Sequence, residues 1–383
     1  MSTFVVPIKR IRAIEPHANA DSIEFAVIDG YRSIVKKGEF EVDALIAYIP
    51  EASLLPEWLL KRMGFWDETK RCGKLNGSAG NRVKAVKLRG ELSQGVCLPI
   101  QKIELSGETR WLLECERDGI IVRTPVAEDY DVTELLGITK YEPPVPVALD
   151  GEVFNAGQHL TIDFDVENWK SYPDILQNDE EVVFTEKLHG TFTGVAVLPI
   201  KDAHPEAFGI DKNILIFSKG LGAKGLVFKN NKRNSNNVYV RATSSMIEAI
   251  TAKAWQNDEP IILMGETFGP GVQDLAYGKD IGFRLFAAAV GYRGSQRYKA
   301  FDWLVITSTE LGVGIVPVLY RGPFSEAAMR EHTDGATTMD AKNIREGIVM
   351  VPAKERVNPR IGRVCLKSVS ADYLTRKGGT EYN

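Results

Sequence analysis

Residues 181–194 read EVVFTEKLHGTFTG. The β-branched, apolar run Val182–Phe184 has the make-up of a strand, and TFTGVAVLP, which follows, has the make-up of a second. Between them the chain ends a strand on Lys187 and turns at once through Gly190. Most lysines at strand ends are simply solvated. The alternative is a nucleophile, and an ordinary lysine cannot be one: with a pKa near 10.4 it is almost wholly protonated at neutral pH. Desolvation or neighbouring positive charge has to lower that value first. Gly190 would let backbone approach a phosphate or base with no Cβ in the way. A Lys-x-x-Gly tetrapeptide alone is common by chance, so the rest of the chain has to decide.

At 383 residues the chain exceeds one ordinary core, and two domains are expected. A hydrophobic content of 44% with 26% charged residues describes a globular protein. No apolar run approaches the roughly 20 residues of a membrane span, and the N-terminus lacks a secretory pattern. No membrane association is expected, and the cytoplasm is the expected compartment. Cys72, Cys97, Cys115 and Cys365 lie far apart without a CxxC pair, and the five histidines are scattered. That pattern argues against a zinc site or disulfide framework and fits a reducing compartment. Net charge is −4, but its distribution is uneven. Lys212–Ile247 contains no Asp or Glu, yet carries Lys212, Lys219, Lys224, Lys229, Lys232, Arg233 and Arg241. Such a stretch suits phosphates; the plain alternative is a solvated loop around NNKRNSNN.

The pattern breaks at TKYEPPVPVALDG, where prolines and a glycine favour an extended connector. Domains are therefore expected at 1–145 and 146–383. The first reads as short strands with turns (SIEFAVIDGYRSIVKKG, ALIAYIP, RVKAVKLRG, GVCLPI), one helix near PEWLLKRMGF, and a loop at GKLNGSAGN, which together suggest a small β-barrel. The second mixes strands (NILIFSKG, PIILMGETFG, IGFRLFAAAVGY, EGIVMVP) with helices at SSMIEAITAKAWQ and AFDWLVITSTELG, an α+β domain on antiparallel sheets. GLGAKG, residues 220–225, matches G-x-G-x-x-G but is followed by LVFKNNKRNSNN, which does not read as a helix, and by no acid before Glu248. It is not a dinucleotide-binding turn, and no GxxxxGK[ST] loop is present.

What raises Lys187 above chance is an ordered set: EKLHGT, FSKG, MGETFG, FRLF, EGIVM and LKS. Over roughly residues 180–370 this series resembles the covalent nucleotidyltransferase superfamily of ATP-dependent polynucleotide ligases and RNA capping enzymes. EKLHGT, with His after the lysine where others have Asp, looks most like RNA ligases. EPHANADSIEFAVID and VKAVKLRGELSQGV resemble OB-fold modules that bind tRNA. An OB-like module ahead of the lysine is similar to the RNA ligases of the Deinococcus and Naegleria type. The fold so implied is an OB-like β-barrel followed by a nucleotidyltransferase (ATP-grasp-like antiparallel sheet) domain.

The resemblance implies three transfers: Lys187 takes AMP from ATP, the AMP passes to an RNA 5′-phosphate, and an RNA 3′-OH displaces it. By motif position Glu186 helps read the adenine and Gly190 allows close approach. Lys219 contacts ribose or phosphate, Glu266 takes a ribose hydroxyl or orients metal-bound water, and Phe286 stacks on adenine, with Phe283 the alternative if the register shifts. Glu346 helps hold Mg²⁺ or Mn²⁺, and Lys367 touches the α-phosphate. On the barrel, Lys84, Lys87 and Arg89 are candidates to face phosphate. The partners implied are ATP and RNA or a nicked RNA-containing duplex, and a monomer is expected. Three departures stand out. Ala287 follows Phe286 where the family commonly has Asp. The last motif reads Cys365–Leu366–Lys367, so one cation is missing unless Arg363 replaces it. AKERVNPRIGRV is an insertion whose Lys354, Arg356, Arg360 and Arg363 either extend the basic surface or form a plain hairpin loop. The other readings are a DNA ligase or capping-type enzyme, and a non-catalytic tRNA- or RNA-binding protein.

Overall fold

Glu181–Lys187 and Thr191–Val197 are both strands, as their composition predicts, but they belong to different sheets. The first sheet runs, in spatial order, Glu167–Asn168, Leu366–Val369, Gly347–Pro352, Glu181–Lys187 and Val318–Pro323. The second runs Ile214–Ser218, Thr191–Val197, Ile261–Phe268, Gly282–Val290 and Arg297–Tyr298. Neighbours are antiparallel except Glu167–Asn168, which lies parallel to Leu366–Val369. The turn Leu188–Gly190 therefore hands the chain from one sheet to the other.

The computed structural model describes residues 4–105, 107–117, 119–143, 149–253, 257–340 and 342–379. They divide into two compact units: residues up to 142 with Trp169–Pro173, and residues 143–168 with those from Asp174 onward. The expected boundary at 145/146, and the end of the helix expected over SSMIEAITAKAWQ, lie outside the described residues. No helix among the described residues is long and apolar enough to cross a membrane.

In the second unit the core is a layer of Val183, Val195, Ile216, Phe217, Ile262, Met264 and Leu285, all buried. Helices Val238–Ala252 and Phe301–Leu311 cover it, burying Tyr239, Met246 and Ile250 from one and Phe301, Leu304 and Leu311 from the other. The first helix starts earlier than its apolar period suggests, because the Asn237 side chain accepts from the amides of Tyr239 and Val240 and caps it. GLGAKG lies largely inside a short helix, Lys219–Lys224, rather than in a turn ahead of one, so its rejection as a dinucleotide motif agrees with its setting.

In the first unit Leu45–Ile49 pairs with Ile8–Arg10 and Val96–Pro99, while Ala13–Pro16, Ile23–Ile28 and Tyr31–Lys36 form a second three-stranded sheet. Helix Glu57–Arg62 falls where PEWLLKRMGF predicts one. A further meander, Gln101–Leu105, Glu108–Arg117 and Ile120–Val126, does not figure among the expected strands. Val86–Leu88, fully exposed, carries Lys87 and leads into Arg89. Its end is tied to an earlier turn: His17 Nε2 lies 3.2 Å from the Leu88 carbonyl, and Asn19 Nδ2 donates to the Arg89 carbonyl at 3.0 Å.

Candidate active site

Register decides which predicted residues meet. Thr185 lies opposite Val349, and Val349 opposite Lys367. Directly opposed residues share a face, so Lys187, Val349 and Lys367 point the same way, with Gly347 across from Lys187 itself. Glu346 precedes that glycine, and its Oε1 accepts from Lys187 Nζ at 2.5 Å. Lys187 is 27% exposed and Glu346 only 8%. Burial alone would raise the Glu346 carboxyl; the Lys187 charge, with His189 beside it, outweighs it and holds it down at about 2. Glu346 Oε2 is buried without a hydrogen-bond partner among the described residues, 3.6 Å from His189 Nδ1.

Glu266 comes from the second sheet, opposite Phe192 on one side and Arg284 on the other. Burial, with Glu346 nearby, pushes its carboxyl up to about 8, against the pull of Lys187 and the Gly190 amide. Gly190 is required by packing: a Cβ there would stand 2.2 Å from the Thr267 carbonyl oxygen and 2.9 Å from Glu266 Cγ. Gly347 is equally constrained, its Cβ position lying 2.1 Å from the Ser368 carbonyl oxygen. The two motif glycines thus let the sheets close around the lysine. Lys367 is partly buried, and burial followed by the charge of Lys187 lowers its pKa. Lys219 is half-exposed and pairs with Asp165 at 3.1 Å.

Phe286 sits at a ladder irregularity beyond the Gly265–Leu285 pair, and its ring lies 5.3 Å from that of Phe164 and 6.0 Å from that of Phe192. Phe192 shares Glu266's face, whereas Phe283 pairs with Thr267 and faces the other way, buried. The register thus puts Phe286, and not Phe283, on the face that Glu266 and Phe192 share. Ala287 is buried core.

The geometry bears on four of these readings. Glu186 does not share Lys187's face, because successive strand residues alternate. Its buried carboxylate accepts from the Thr337 and Thr338 hydroxyls and from the Thr338 amide at 2.9 Å, so it anchors a loop behind the strand. Arg363 does not replace a missing active-site cation: it is paired with Glu355 at 2.5 Å and lies over the Tyr298 ring at 4.2 Å. The insertion AKERVNPRIGRV is a hairpin, Val357–Asn358 with Gly362–Arg363, and Arg356 and Arg360 pair with Glu180 and Asp174 rather than presenting bare charge. The basic stretch from Lys212 draws counter-ions from elsewhere, Asp165 to Lys219, Glu206 to Lys229 and Glu152 to Arg233.

The structure also brings in residues that spacing could not reveal. Asp165 and Glu167 stand by Lys219 and Lys367, and burial with the charge of Asp165 raises the Glu167 carboxyl. His189 meets Asp274 and Tyr373, at sequence separations of 85 and 184.

Comparison with known proteins places the fold and the family. Residues 180–369 match the family model described as RNA ligase, and residues 5–100 match an OB-fold domain model. No curated protein sequence matches the chain. Among solved structures, a lysine-to-alanine variant of the Naegleria gruberi RNA ligase with ATP and Mn is 23% identical, with a TM-score of 0.71, over 96% of this chain and 97% of that one. An aspartate-to-alanine variant of that ligase without ligand gives 23% and 0.70, covering 96% of each chain. These likenesses establish the fold. The chain belongs to the RNA ligase family, with an OB-fold domain ahead of its ligase domain.

Proposed function

We propose that this chain is an ATP-dependent RNA ligase that joins 3′-OH to 5′-phosphate ends, with Lys187 as its nucleophile. The observation that carries this reading is the Lys187–Glu346 pair at the junction of two sheets, with Glu266, Lys219 and Lys367 around it. The family match favours RNA ligation over the DNA-ligase, capping and binding-only readings, and several of the Naegleria ligase structures are complexes with ATP or AMP and Mn.

The chemistry follows from the groups present. Lys187 Nζ, relieved of a proton, forms a bond to the ATP α-phosphorus as the bond to pyrophosphate breaks. An oxygen of the RNA 5′-phosphate then attacks the AMP phosphorus and frees Lys187. Finally the 3′-hydroxyl attacks the activated 5′-phosphate and AMP leaves. Such transfers need positioning and charge neutralisation above all. Lys367, flanked by Lys187, bears on the α-phosphate, Lys219 exchanges Asp165 for a substrate phosphate or ribose, and Phe286 offers a ring to adenine.

Glu346 fits a divalent cation, because its second oxygen is buried and has no hydrogen-bond partner among the described residues; Glu266 would join it directly or through water. No group of three or more metal-binding side chains occurs among the described residues, which suits Mg²⁺ or Mn²⁺ keeping several waters. When bound, the ion supplies charge neutralisation at the phosphates. RNA or a nicked RNA-containing duplex is the substrate class, and the reading is completed by a monomer in the cytoplasm.

The test is sealing of a 5′-phosphorylated RNA to an RNA 3′-OH with ATP. Lys187→Ala should abolish it yet still seal a strand supplied already adenylated. Equal sealing of the phosphorylated strand by both proteins would remove Lys187 from the chemistry.

A further inference from the structure

The turn that carries the nucleophile is gripped from two sides by groups the three transfers do not use. From the loop after Ile261–Phe268, Gln273 Nε2 donates to the Gly190 carbonyl at 3.1 Å, and the Tyr277 hydroxyl accepts from the His189 amide at 2.7 Å. Between them Asp274 Oδ1 meets His189 Nε2 at 2.7 Å. From the C-terminal side, where Ala371–Leu374 is a short helix, the Tyr373 hydroxyl lies 2.7 Å from His189 Nδ1. Arg376 closes the ring: its Nε and Nη2 donate to Asp274 at 3.0 and 3.1 Å, and its guanidinium lies 3.7 Å over the Tyr373 ring.

His189 is only 4% exposed and both its ring nitrogens are engaged. A carboxylate held in an arginine fork only accepts, so Nε2 donates to Asp274, while the Tyr373 hydroxyl pairs with Nδ1. That fixes the ring plane beside Glu346, whose uncommitted oxygen lies 3.6 Å from Nδ1. Tyr373 and Arg376 both lie past residue 369, where the RNA ligase match ends.

We propose that Asp274, Tyr373 and Arg376 are positioning residues for nucleotidyl transfer. They fix His189, and through it the Leu188–Gly190 turn and Glu346, so that Lys187 meets the α-phosphate in line. The proposal rests on Lys187 being the nucleophile. The rival is plain structural glue, in which case removing any of these side chains lowers stability and leaves the chemical step alone.

The experiment uses the full chain and measures lysyl-AMP formation against ATP concentration, together with melting temperature. Variants are Asp274→Ala, His189→Ala, their double, and Tyr373→Phe, which removes one oxygen and serves if the alanine variants fold poorly. Misplacing a nucleophile by a fraction of an ångström costs on the order of tenfold or more. Asp274→Ala should slow formation at saturating ATP by about that factor, with the half-saturating ATP concentration little changed. The double variant should be no slower than His189→Ala, because the two act as one unit. Tyr373→Phe should slow the step several-fold at an unchanged melting temperature. Formation at the wild-type rate in Asp274→Ala or Tyr373→Phe, multiplying effects in the double variant, or slowing matched by a fall in melting temperature would each overturn the clamp. Failure of the underlying reading looks different: Lys187→Ala would itself carry the adduct.

Discussion

Two carboxyl groups within one site take different charge states from their surroundings. Glu346, beside Lys187, stays ionised down to about pH 2. Glu266, desolvated and with Glu346 near it, holds its proton up to about 8. The consequences for stability have opposite signs. A carboxyl raised from 4.5 to about 8 is protonated in the folded chain and ionised in the unfolded one across that window, so its contribution declines as pH rises from 4.5 to 8. Glu346 contributes fully above its usual range, and that contribution is lost only as pH falls toward 2. Between pH 5 and 8 the Glu266 effect is therefore isolated from that of Glu346. Glu266→Gln should lose less melting temperature between those pH values than the wild type does; parallel losses would contradict the raised carboxyl. The EK pair at 186–187 is a matching lesson: the lysine's importance was legible from its motif. The direction of Glu186 was not, because its partners Thr337 and Thr338 stand about 150 residues away.

At the scale of elements, KLHGT joins two sheets, and what allows the join is the absence of a side chain at Gly190. The strands on either side were readable from β-branched alternation, but the strand-to-sheet assignment was not, since pairing partners come from distant segments. The meander Gln101–Val126 shows another limit. Its turns at Gly107 and Gly119 have positive φ, and their SG and DG dipeptides are hairpin signals. The strands between them, however, carry so many charges on their exposed faces that no clean apolar alternation marks them. The irregularity at Phe286 is likewise invisible in sequence; strand alternation alone puts Phe286 and Phe283 on opposite faces. Gly190→Ala should destabilise the fold by about 1–3 kcal/mol through overpacking against Thr267. It should also slow AMP uptake more than that destabilisation explains, because the added methyl pushes the nucleophile's turn. A variant that melts and reacts like wild type would show the close approach to be unnecessary.

Taken whole, the chain divides its labour between two units, and the family matches follow that division. Three of the seven cations between Lys212 and Ile247, namely Lys219, Lys229 and Arg233, find carboxylates in the folded chain. Beside that stretch, the exposed hairpin strand Val86–Leu88 is a second candidate for RNA binding, because Lys87 and Arg89 stay at the surface next to exposed Val86 and Leu88. Replacing Lys84, Lys87 and Arg89 together with alanine should weaken RNA binding and flatten its salt dependence, by up to about one unit of slope for each phosphate no longer neutralised. Lysyl-AMP formation should be unaffected. An unchanged salt slope would move the RNA track elsewhere.

The most direct measurement is the intact mass of the purified protein before and after incubation with ATP and a divalent metal, for wild type and Lys187→Ala. A gain of one AMP in the wild type alone, reversed by added pyrophosphate, is the predicted result. No adduct in the wild type under any of these conditions, or an equal adduct in Lys187→Ala, would contradict Lys187 as the nucleophile.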